Sequence, residues 1–295
     1  SYAAGFFHLV THAMFKAGLF LGSGSVIHAM HHAMHKIHMD EDPNDIRFMG
    51  GFKSKMPVTY WTFLIFTLAL SGIPFFSGFL SKDAILGGTL AFALAQGEPI
   101  HFLLPFMGFF TAGITAFYMF RLVIKTFHGK PAKKELFAHI HESPRIMTYP
   151  LITLASLSIF IFYTLPAMNP FSFHHSWYDT LIKKPISAVA LQTGKDVIHI
   201  SEQIAHHAHS QAMLLSIVIA LTGILIALVI YLWKIIKAET LTQKMGFLYR
   251  LSFNKYYCDE IYNAIIIKGT LLWNNMLAWF DDKIIDGLVN LSAYI

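Results

Sequence analysis

Charged side chains are scarce in this sequence: of its 295 residues, 13% are charged and 55% are hydrophobic. A soluble domain usually carries about 25% charged residues, so the composition excludes an ordinary soluble protein and favours a membrane protein. The net charge of +5 is not accompanied by a pattern of interleaved aromatic and basic residues. Nucleic acid is therefore not predicted as a partner, and the basic residues are better read as signals of membrane topology.

Cysteine and cofactor-binding motifs are also nearly absent. The only cysteine, Cys258, cannot form an internal disulfide, and no cysteine cluster could hold an iron–sulfur centre. The sequence has no glycine-rich dinucleotide loop and no haem attachment motif. We therefore expect no cofactor in this chain, so any electron transfer must take place in partner subunits.

Long apolar runs are abundant, and five of them meet the length of roughly 20 residues that a transmembrane helix needs. They lie at about 3–29, 57–79 with a continuation to 95, 102–123, 149–166 and 212–233. Lys and Arg are concentrated in 30–56, in 121–149 and after residue 233. The positive-inside rule predicts that these three segments share the cytoplasm-like side of the membrane.

The second run is interrupted by the sequence SGIPFFSGFLSKD, which contains Gly72, Pro74 and Gly78. The whole run is too long for one straight crossing, and proline and glycine weaken a helix, so the pattern predicts a discontinuous helix. Irregular backbone at membrane depth is tolerated only where protein or a water-filled cavity surrounds it. Lys82 and Asp83 follow the break directly, which predicts a proton-accepting lysine beside water. The alternative is an interfacial Lys82 paired with Asp83.

Three ionisable side chains, His8, His12 and Lys16, stand four residues apart in the first run. On an α-helix this spacing places them on one face. Ionisable residues inside a membrane cost several kcal/mol and usually mark ion paths, and water between groups about 6 Å apart would allow proton transfer. The alternative is that each histidine makes a local hydrogen bond and Lys16 extends to a helix end, but Lys16 lies in the middle of the run.

Histidines also cluster outside these runs, in two groups. The segment HAMHHAMHKIHMDED contains His28, His31, His32, His35 and His38, and a second group consists of His199, His206, His207 and His209. Histidine is a common zinc ligand, but neither group has a cysteine or a spaced partner motif. We therefore interpret both groups as solvated surface clusters and predict no metal site.

The C-terminal part has the periodicity of an amphipathic helix. Apolar residues recur at helical spacing at Tyr257, Ile261, Ile265, Leu272, Met276, Phe280, Ile284 and Leu288. Polar residues, among them Asn263 and Asn274, occupy other faces. Such a helix should lie along a surface rather than cross the bilayer.

Four segments, FHLVTHAMFKAGLFLGSGSVIHAMH, GIPFFSGFLSKDAIL, ITAFYMFRLVIKTFHGK and DEIYNAIIIKG, strongly resemble the antiporter-like subunit L family of respiratory complex I, the proton-pumping NADH:quinone oxidoreductase. The resemblance implies an all-α membrane protein with about five transmembrane helices, one of them discontinuous, followed by a lateral helix. Residues 1–166 would form the C-terminal half-channel of the antiporter-like domain. Residues 167–233 would form an extra-membrane loop and an additional transmembrane helix, and 234–295 would begin the lateral helix. The family's first half-channel and final span are not in this sequence, so we expect the chain to be part of a longer protein that does not pump alone.

The resemblance also implies roles for individual residues. His8 and His12 match the family's histidines that link the two half-channels, and Lys16 lies on the same helix face. Lys82 matches the exit-side lysine of the discontinuous helix, and Asp83 is its neighbour in the motif. Together they would form a proton pathway that acts as a translocase without redox centres.

The expected surroundings follow from the same resemblance. The partners would be other membrane-arm subunits of complex I, especially the antiporter-like subunits under the lateral helix, together with the lipid bilayer. Flavin and iron–sulfur clusters would belong to partner subunits. The expected location is an energy-transducing membrane, in particular the bacterial inner membrane.

Two other functions share part of the pattern. The first two segments also resemble the large subunit of multi-subunit sodium/proton antiporters, and the proton pathway alone does not distinguish the two classes. A lateral helix favours complex I, because a long helix of this kind needs neighbours to lie on. A membrane scaffold with an inactive channel is the third hypothesis, and it predicts that neutral replacements of Lys16 and Lys82 leave pumping intact.

Overall fold

Helices form the regular structure of the described chain, and no strand occurs within residues 2–160 and 202–295, which the computed structural model describes. The helices of the first part are α1 Tyr2–Lys36, α2 Pro57–Ser71, α3 Ser77–Gln96, α4 Leu103–Phe127, α5 Lys134–His139, α6 Arg145–Phe160 and α7 Glu202–Ala227. A π-helical turn, Leu228–Leu232, continues α7. The predicted all-α class is confirmed.

Four of the described helices are long and apolar enough to cross a membrane: Ala4–Lys36, Ser77–Gln96, Pro99–Phe127 and His206–Leu232. Two further apolar helices, α2 and α6, are shorter. Because α2 and α3 are the two parts of the interrupted run, these helices correspond to the five predicted apolar runs. The end of the fourth run, the following segment to residue 201 and His199 lie outside the described residues.

Two helices extend beyond their predicted limits. Helix α1 continues to Lys36 rather than ending near residue 29, and α7 is already helical at Glu202 rather than starting near residue 212. The sequence around His206 and His209 contains no proline or glycine, and Ala208 and Ala212 are fully buried. Small side chains allow this turn of α7 to approach α3 closely, so packing extends the helix into a segment that hydropathy assigns to a loop.

Two apolar clusters surround the broken helix. The larger lies where α1 packs on α2, with Phe15, Phe63 and Phe66 among its buried residues. The smaller joins the start of α1 to α3 and α7 through Phe7 and Phe79. The helix ends on both sides of the break are therefore packed against protein, whereas Phe75 in the break itself is 58% exposed.

The predicted cytoplasm-like segments 30–56 and 121–149 meet at one end of the helices. The amide of Gly51 donates a hydrogen bond to the carbonyl of His128 over 3.0 Å. At the adjoining start of α2, the amide of Val58 donates to the carboxylate of Glu142 over 2.7 Å. This placement agrees with the orientation that the basic residues predict.

Residues Ile236–Ile295 form a separate unit. Helix α8, Ala238–Phe253, is interrupted by Gly246 and followed by three left-handed residues, Lys255, Tyr256 and Tyr257. A long helix, α9, then consists of Cys258–Tyr262, Lys268–Phe280 and Asp286–Tyr294, joined by the π-helical turns Asn263–Ile267 and Asp281–Ile285. At 1.5 Å per residue α9 is about 55 Å long. The amphipathic helix therefore begins after the turn at Tyr257, and its apolar side chains are exposed within this chain.

Candidate proton-transfer site

The break between α2 and α3 is built by a left-handed glycine. Gly72 has a φ of +75°, and its amide and that of Ile73 donate hydrogen bonds back to the carbonyls of Ala69 and Leu68. This arrangement ends α2, and an L side chain at such a φ costs about 1–2 kcal/mol. Phe75 is also left-handed, at +76°, before α3 starts. The predicted discontinuity of this helix is confirmed.

Lys82 lies beside the broken end of α2. A Cβ atom on Gly72 would be 3.2 Å from Cδ and 3.8 Å from Nζ of Lys82, so the lysine side chain passes directly over the glycine. The carboxyl end of a helix carries partial negative charge, which stabilises a nearby ammonium group. The break therefore provides a place where Lys82 can hold a proton although it is surrounded by apolar helices.

Two hydroxyl groups connect α1 to α3 at this level. Nδ1 of His8 is 2.9 Å from Oγ of Ser81, and the same oxygen is 2.8 Å from Oγ1 of Thr11. Ser81 directly precedes Lys82, so this hydrogen-bonded group joins the histidines of α1 to the lysine helix. Sequence reasoning missed Ser81 and Thr11, because a single hydroxyl in an apolar helix gives no signal of what it faces.

The predicted row on α1 is present and extends away from this contact. The rings of His8 and His12 have centroids 5.6 Å apart. Lys16 is half-buried and lies one turn beyond His12 on the same helix face. It is about 12 Å further along α1 than His8. The hydrogen bond from the row to α3 is made by His8.

Asp83 faces α7. It is 2% exposed, and its Oδ2 lies 3.3 Å from Nδ1 of His209. Ser71 and Ser216 line a narrow cavity together with Lys82 and Asp83. Asp83 thus has an imidazole partner that the sequence did not reveal, because residues 83 and 209 are joined only by the fold.

His209 corrects one interpretation of the sequence. The pattern groups it with His206 and His207 as a solvated cluster, and those two are exposed. His209 instead lies against α3 and is 39% exposed in its side chain. The only signal in the sequence is the pair of alanines, Ala208 and Ala212, which mark the close-packed face of α7.

Buried polar atoms without a hydrogen bond of good geometry are concentrated around the break. Among the described residues they include Oγ1 of Thr67, Oγ of Ser71 and Ser77 and both carboxylate oxygens of Asp83. Buried polar groups in proteins are usually paired with protein or with ordered water. Among the described helices, this break is therefore where buried polar groups are least completely paired.

Other candidate regions differ from the break. His28, His31, His32, His35 and His38 are all exposed, as expected for a solvated cluster, and His32 contacts His141 with a nitrogen–nitrogen distance of 3.3 Å. A wide groove between α4 and α7 is lined by apolar residues such as Phe106 and Phe110. The described residues that line it include no ionisable side chain, so these residues do not offer a path for protons.

The fold and the break define an all-α membrane protein with ionisable groups gathered at a discontinuous helix. Residues 1–115 match a family described as the NADH:quinone oxidoreductase/Mrp antiporter transmembrane region. The predicted resemblance to this family is confirmed.

Individual relatives extend the similarity to almost the whole chain. The chain is 39% identical to NAD(P)H-quinone oxidoreductase chain 5 of Picosynechococcus over 99% of its length and 43% of that protein. It is 35% identical to NADH-quinone oxidoreductase subunit L of Rickettsia bellii, over 97% of the chain and 40% of the relative. It is also 35% identical to the chloroplastic NAD(P)H-quinone oxidoreductase subunit 5 of Chara vulgaris, over 99% of the chain and 42% of the relative. The chain thus spans less than half the length of the curated relatives that it matches.

Proposed function

We propose that this chain is the proton-translocating part of a membrane subunit of NADH:quinone oxidoreductase. The observation that carries the proposal is the connected set of ionisable side chains at the helix break. His12 lies beside His8, His8 is hydrogen-bonded to Ser81, and Lys82 and Asp83 follow on α3. Groups of this kind at membrane depth usually mark ion paths.

Each group would have a distinct part in transfer. His8 and His12 can pass protons on, because a neutral imidazole has one nitrogen that donates a hydrogen bond and one that accepts it. Ser81 and Thr11 keep the imidazole of His8 facing α3. Lys82 holds the proton at the broken end of α2 and Asp83 accepts it next, while Lys16 extends the row on α1. A charge change in a neighbouring subunit would alter the proton affinity of Lys16 and Lys82 and so drive the transfer.

The redox chemistry would take place elsewhere in the complex. We expect flavin and iron–sulfur clusters in partner subunits, so that this chain acts as a translocase without electron carriers. The names of the relatives favour this assignment over a sodium/proton antiporter, since all those cited are quinone oxidoreductase subunits. The location would be an energy-transducing membrane. We propose the bacterial inner membrane, although the relatives include chloroplast proteins as well as bacterial ones.

The test is Lys82→Ala in the full-length subunit within the assembled complex. Reconstituted vesicles would report protons moved per NADH oxidised, and native electrophoresis would report assembly. We expect a lower proton-to-electron ratio in a complex that still forms, whereas Lys130→Ala, which changes an exposed lysine of the same unit, should behave like the parent. An unchanged ratio in the assembled Lys82→Ala complex would contradict the proposal and favour an inactive scaffold.

The proposed partners are the neighbouring antiporter-like subunits, along which α9 would lie as the lateral helix. Its stripe residues Ile265, Met276 and Ile284 are all exposed in the isolated chain, and covering each would contribute about 1.5–3 kcal/mol. A helix about 55 Å long with such a stripe needs a surface to cover it. We therefore propose that α9 clamps the adjacent subunits together.

The clamp can be tested by placing charge in the stripe. The double variant Ile265→Asp with Ile284→Asp should detach the distal membrane arm, because unpaired buried carboxylates are strongly destabilising. The matched control adds two aspartates to the polar side of the helix, Asn263→Asp with Asn274→Asp, and should assemble normally. A fully assembled stripe variant that fails to pump would instead indicate that α9 transmits motion.

A further inference from the structure

The first turns of α7 bring an imidazole to the most buried carboxylate of the site. Nδ1 of His209 lies 3.3 Å from Oδ2 of Asp83, and a Cβ atom on Gly87 would lie 3.2 Å from the same nitrogen. Gly87, one turn beyond Asp83 on α3, therefore leaves the space in which the imidazole fits. Exposure rises along this direction, from 2% for the Asp83 side chain to 39% for that of His209. His206 and His207 are exposed.

The length of α7 places His209 near the membrane surface opposite the basic end. Tyr231 and Trp233 stand at that basic end, and such aromatic residues are typical of the membrane–water interface. From Trp233 back to His209 the helix rises about 35 Å, which exceeds the roughly 30 Å hydrocarbon thickness of a bilayer. His209 would therefore stand where protons leave on the outer side.

We propose that His209 carries protons from Asp83 to the outer aqueous phase, an inference that rests on the proposed function of the site. The Lys82 ammonium gives a proton to the Asp83 carboxylate across the cavity that both residues line. The resulting carboxylic acid gives that proton to Nδ1 of neutral His209, which regenerates the carboxylate and forms an imidazolium. The imidazolium releases its Nε2 proton to outside water, and the ring then rotates so that the unprotonated Nε2 can accept the next proton from Asp83. One proton crosses for each proton taken up, and no electron moves.

If His209 served only to hold α7 against α3, an amide side chain could replace it. An amide side chain donates and accepts hydrogen bonds and would preserve contact with Asp83, but it cannot take up and release a proton near neutral pH. His209→Gln therefore separates carrying a proton from holding the helices together. His207→Gln, two residues away on the same helix and exposed, is the matched control.

The experiment measures protons moved per NADH oxidised by the assembled complex in vesicles. We expect His209→Gln to lower the ratio by as much as Lys82→Ala does, His209→Glu to recover part of the loss, and His207→Gln to match the parent. The effects of removing two carriers that act in series are not additive. The double variant His209→Gln with Asp83→Asn should therefore lose no more of the proton ratio than the more severe of the two single variants.

A second variant displaces the imidazole without removing it. Gly87→Ala adds a methyl group that must push against His209, whereas Gly24→Ala adds one in α1, where a Cβ would have no neighbour within 4 Å. We expect a lower ratio only for Gly87→Ala. This variant also decides the question if His209→Gln fails to assemble.

The outcomes separate this inference from the proposed function. A reduced ratio for Lys82→Ala with parental ratios for His209→Gln and Gly87→Ala would overturn the role of His209 and leave the function standing. Additive losses in the double variant, or a loss for His209→Gln that His209→Glu does not recover, would assign His209 a structural role instead. Parental ratios for Lys82→Ala and His209→Gln alike would overturn both proposals.

Discussion

Two buried polar clusters in the same helical unit are built from similar residues and differ in how completely they are hydrogen-bonded. The first, here called the serine–glutamate cluster, consists of Ser25, Thr59, Glu142 and Ser143. The hydroxyl of Ser25 is 2.9 Å from that of Thr59 and 2.6 Å from that of Ser143. Glu142 accepts from the hydroxyl of Thr59 over 2.6 Å and from the amide of Val58 over 2.7 Å. Each of these side chains is hydrogen-bonded, and the carboxylate caps the start of α2.

The second cluster lies at the other end of α2, at the break. Its carboxylate, Asp83, has His209 as a partner at 3.3 Å, but neither of its oxygens makes a hydrogen bond of good geometry. The hydroxyls of Ser71 and Ser77 are likewise without one. A fully bonded buried network rigidifies a fold, whereas a buried polar group without such bonds carries a desolvation cost that a new partner can relieve. The comparison indicates that α2 is fixed at its beginning and less completely bonded at its end, where we propose that proton transfer takes place.

The largest expected effect is on assembly and stability, and it comes from removing the carboxylate of Glu142 at the start of α2. Glu142→Ala deletes charge-assisted hydrogen bonds and leaves the buried hydroxyl of Thr59 with one partner fewer, at a cost of about 2–3 kcal/mol. We expect poorer assembly and a lower thermal midpoint, while the complex that forms moves a normal number of protons per electron. Glu135→Ala, an exposed acid in α5, should change neither. A lowered proton ratio at normal stability would contradict the division between the two clusters.

Two glycines with the same backbone conformation test the role of the break at the end of α2. Gly72 and Gly97 end successive helices at φ values of +75° and +73°, so alanine at either should cost about 1–2 kcal/mol. Only Gly72 contacts Lys82, since a Cβ on Gly97 would have no neighbour within 4 Å. We expect similar losses of thermal stability and a lower proton ratio for Gly72→Ala alone. Equal ratios would mean that the contact with Lys82 has no part in transfer.

The sequence was sufficient to predict the parts of this site that depend on spacing along one helix. Residues four apart predict the row from His8 to Lys16, and the glycines and proline predict the break, because both patterns are local. The predicted start of α7 near residue 212 is wrong, since hydropathy does not report that Ala208 and Ala212 pack closely against α3. Local patterns therefore predicted the helices and their ionisable residues better than the limits of the helices.

Contacts between helices could not be predicted in the same way. Asp83 and His209 are separated by 126 positions (209 − 83), and nothing in either segment specifies the partner. The hydroxyl of Ser81 became part of the site only because α1 and α3 cross at that level. Such pairs depend on helix packing and register, which a single sequence does not encode in a readable form.

A smaller effect, confined to transport, is expected for the histidines of α1. His8→Gln and His12→Gln should each lower the proton ratio less than the double variant, because water can replace one missing group more readily than two. The amide at position 8 can still bond to Ser81, so stability should hardly change. The matched control is the exposed pair His31→Gln with His35→Gln, which has the same spacing on the same helix. A double His8/His12 variant that pumps like the parent would end the proton-row interpretation.

The smallest effect is expected from His128, a titratable group near the start of α2. Because this end of α2 is fixed by the serine–glutamate cluster, we expect His128 to influence stability and not proton transfer. Its Nε2 is 3.2 Å from the hydroxyl of Tyr60. Burial, followed by the nearby Lys53 ammonium, lowers the pKa of His128 below its usual range near 6.5. The folded protein therefore favours the neutral ring of His128. The stability that the neutral ring contributes is complete above the pKa of the unfolded state and is lost as pH falls through the lower pKa of the folded state.

The thermal midpoint of the complex should drop by on the order of 1 °C on acidification from about pH 7.5 to about pH 5.5, and this part of the drop should vanish in His128→Asn. His35→Asn, at an exposed site, should retain the full pH dependence, and proton ratios should be parental in both variants. A lower ratio in His128→Asn would show that titratable groups at the fixed end also take part in proton transfer.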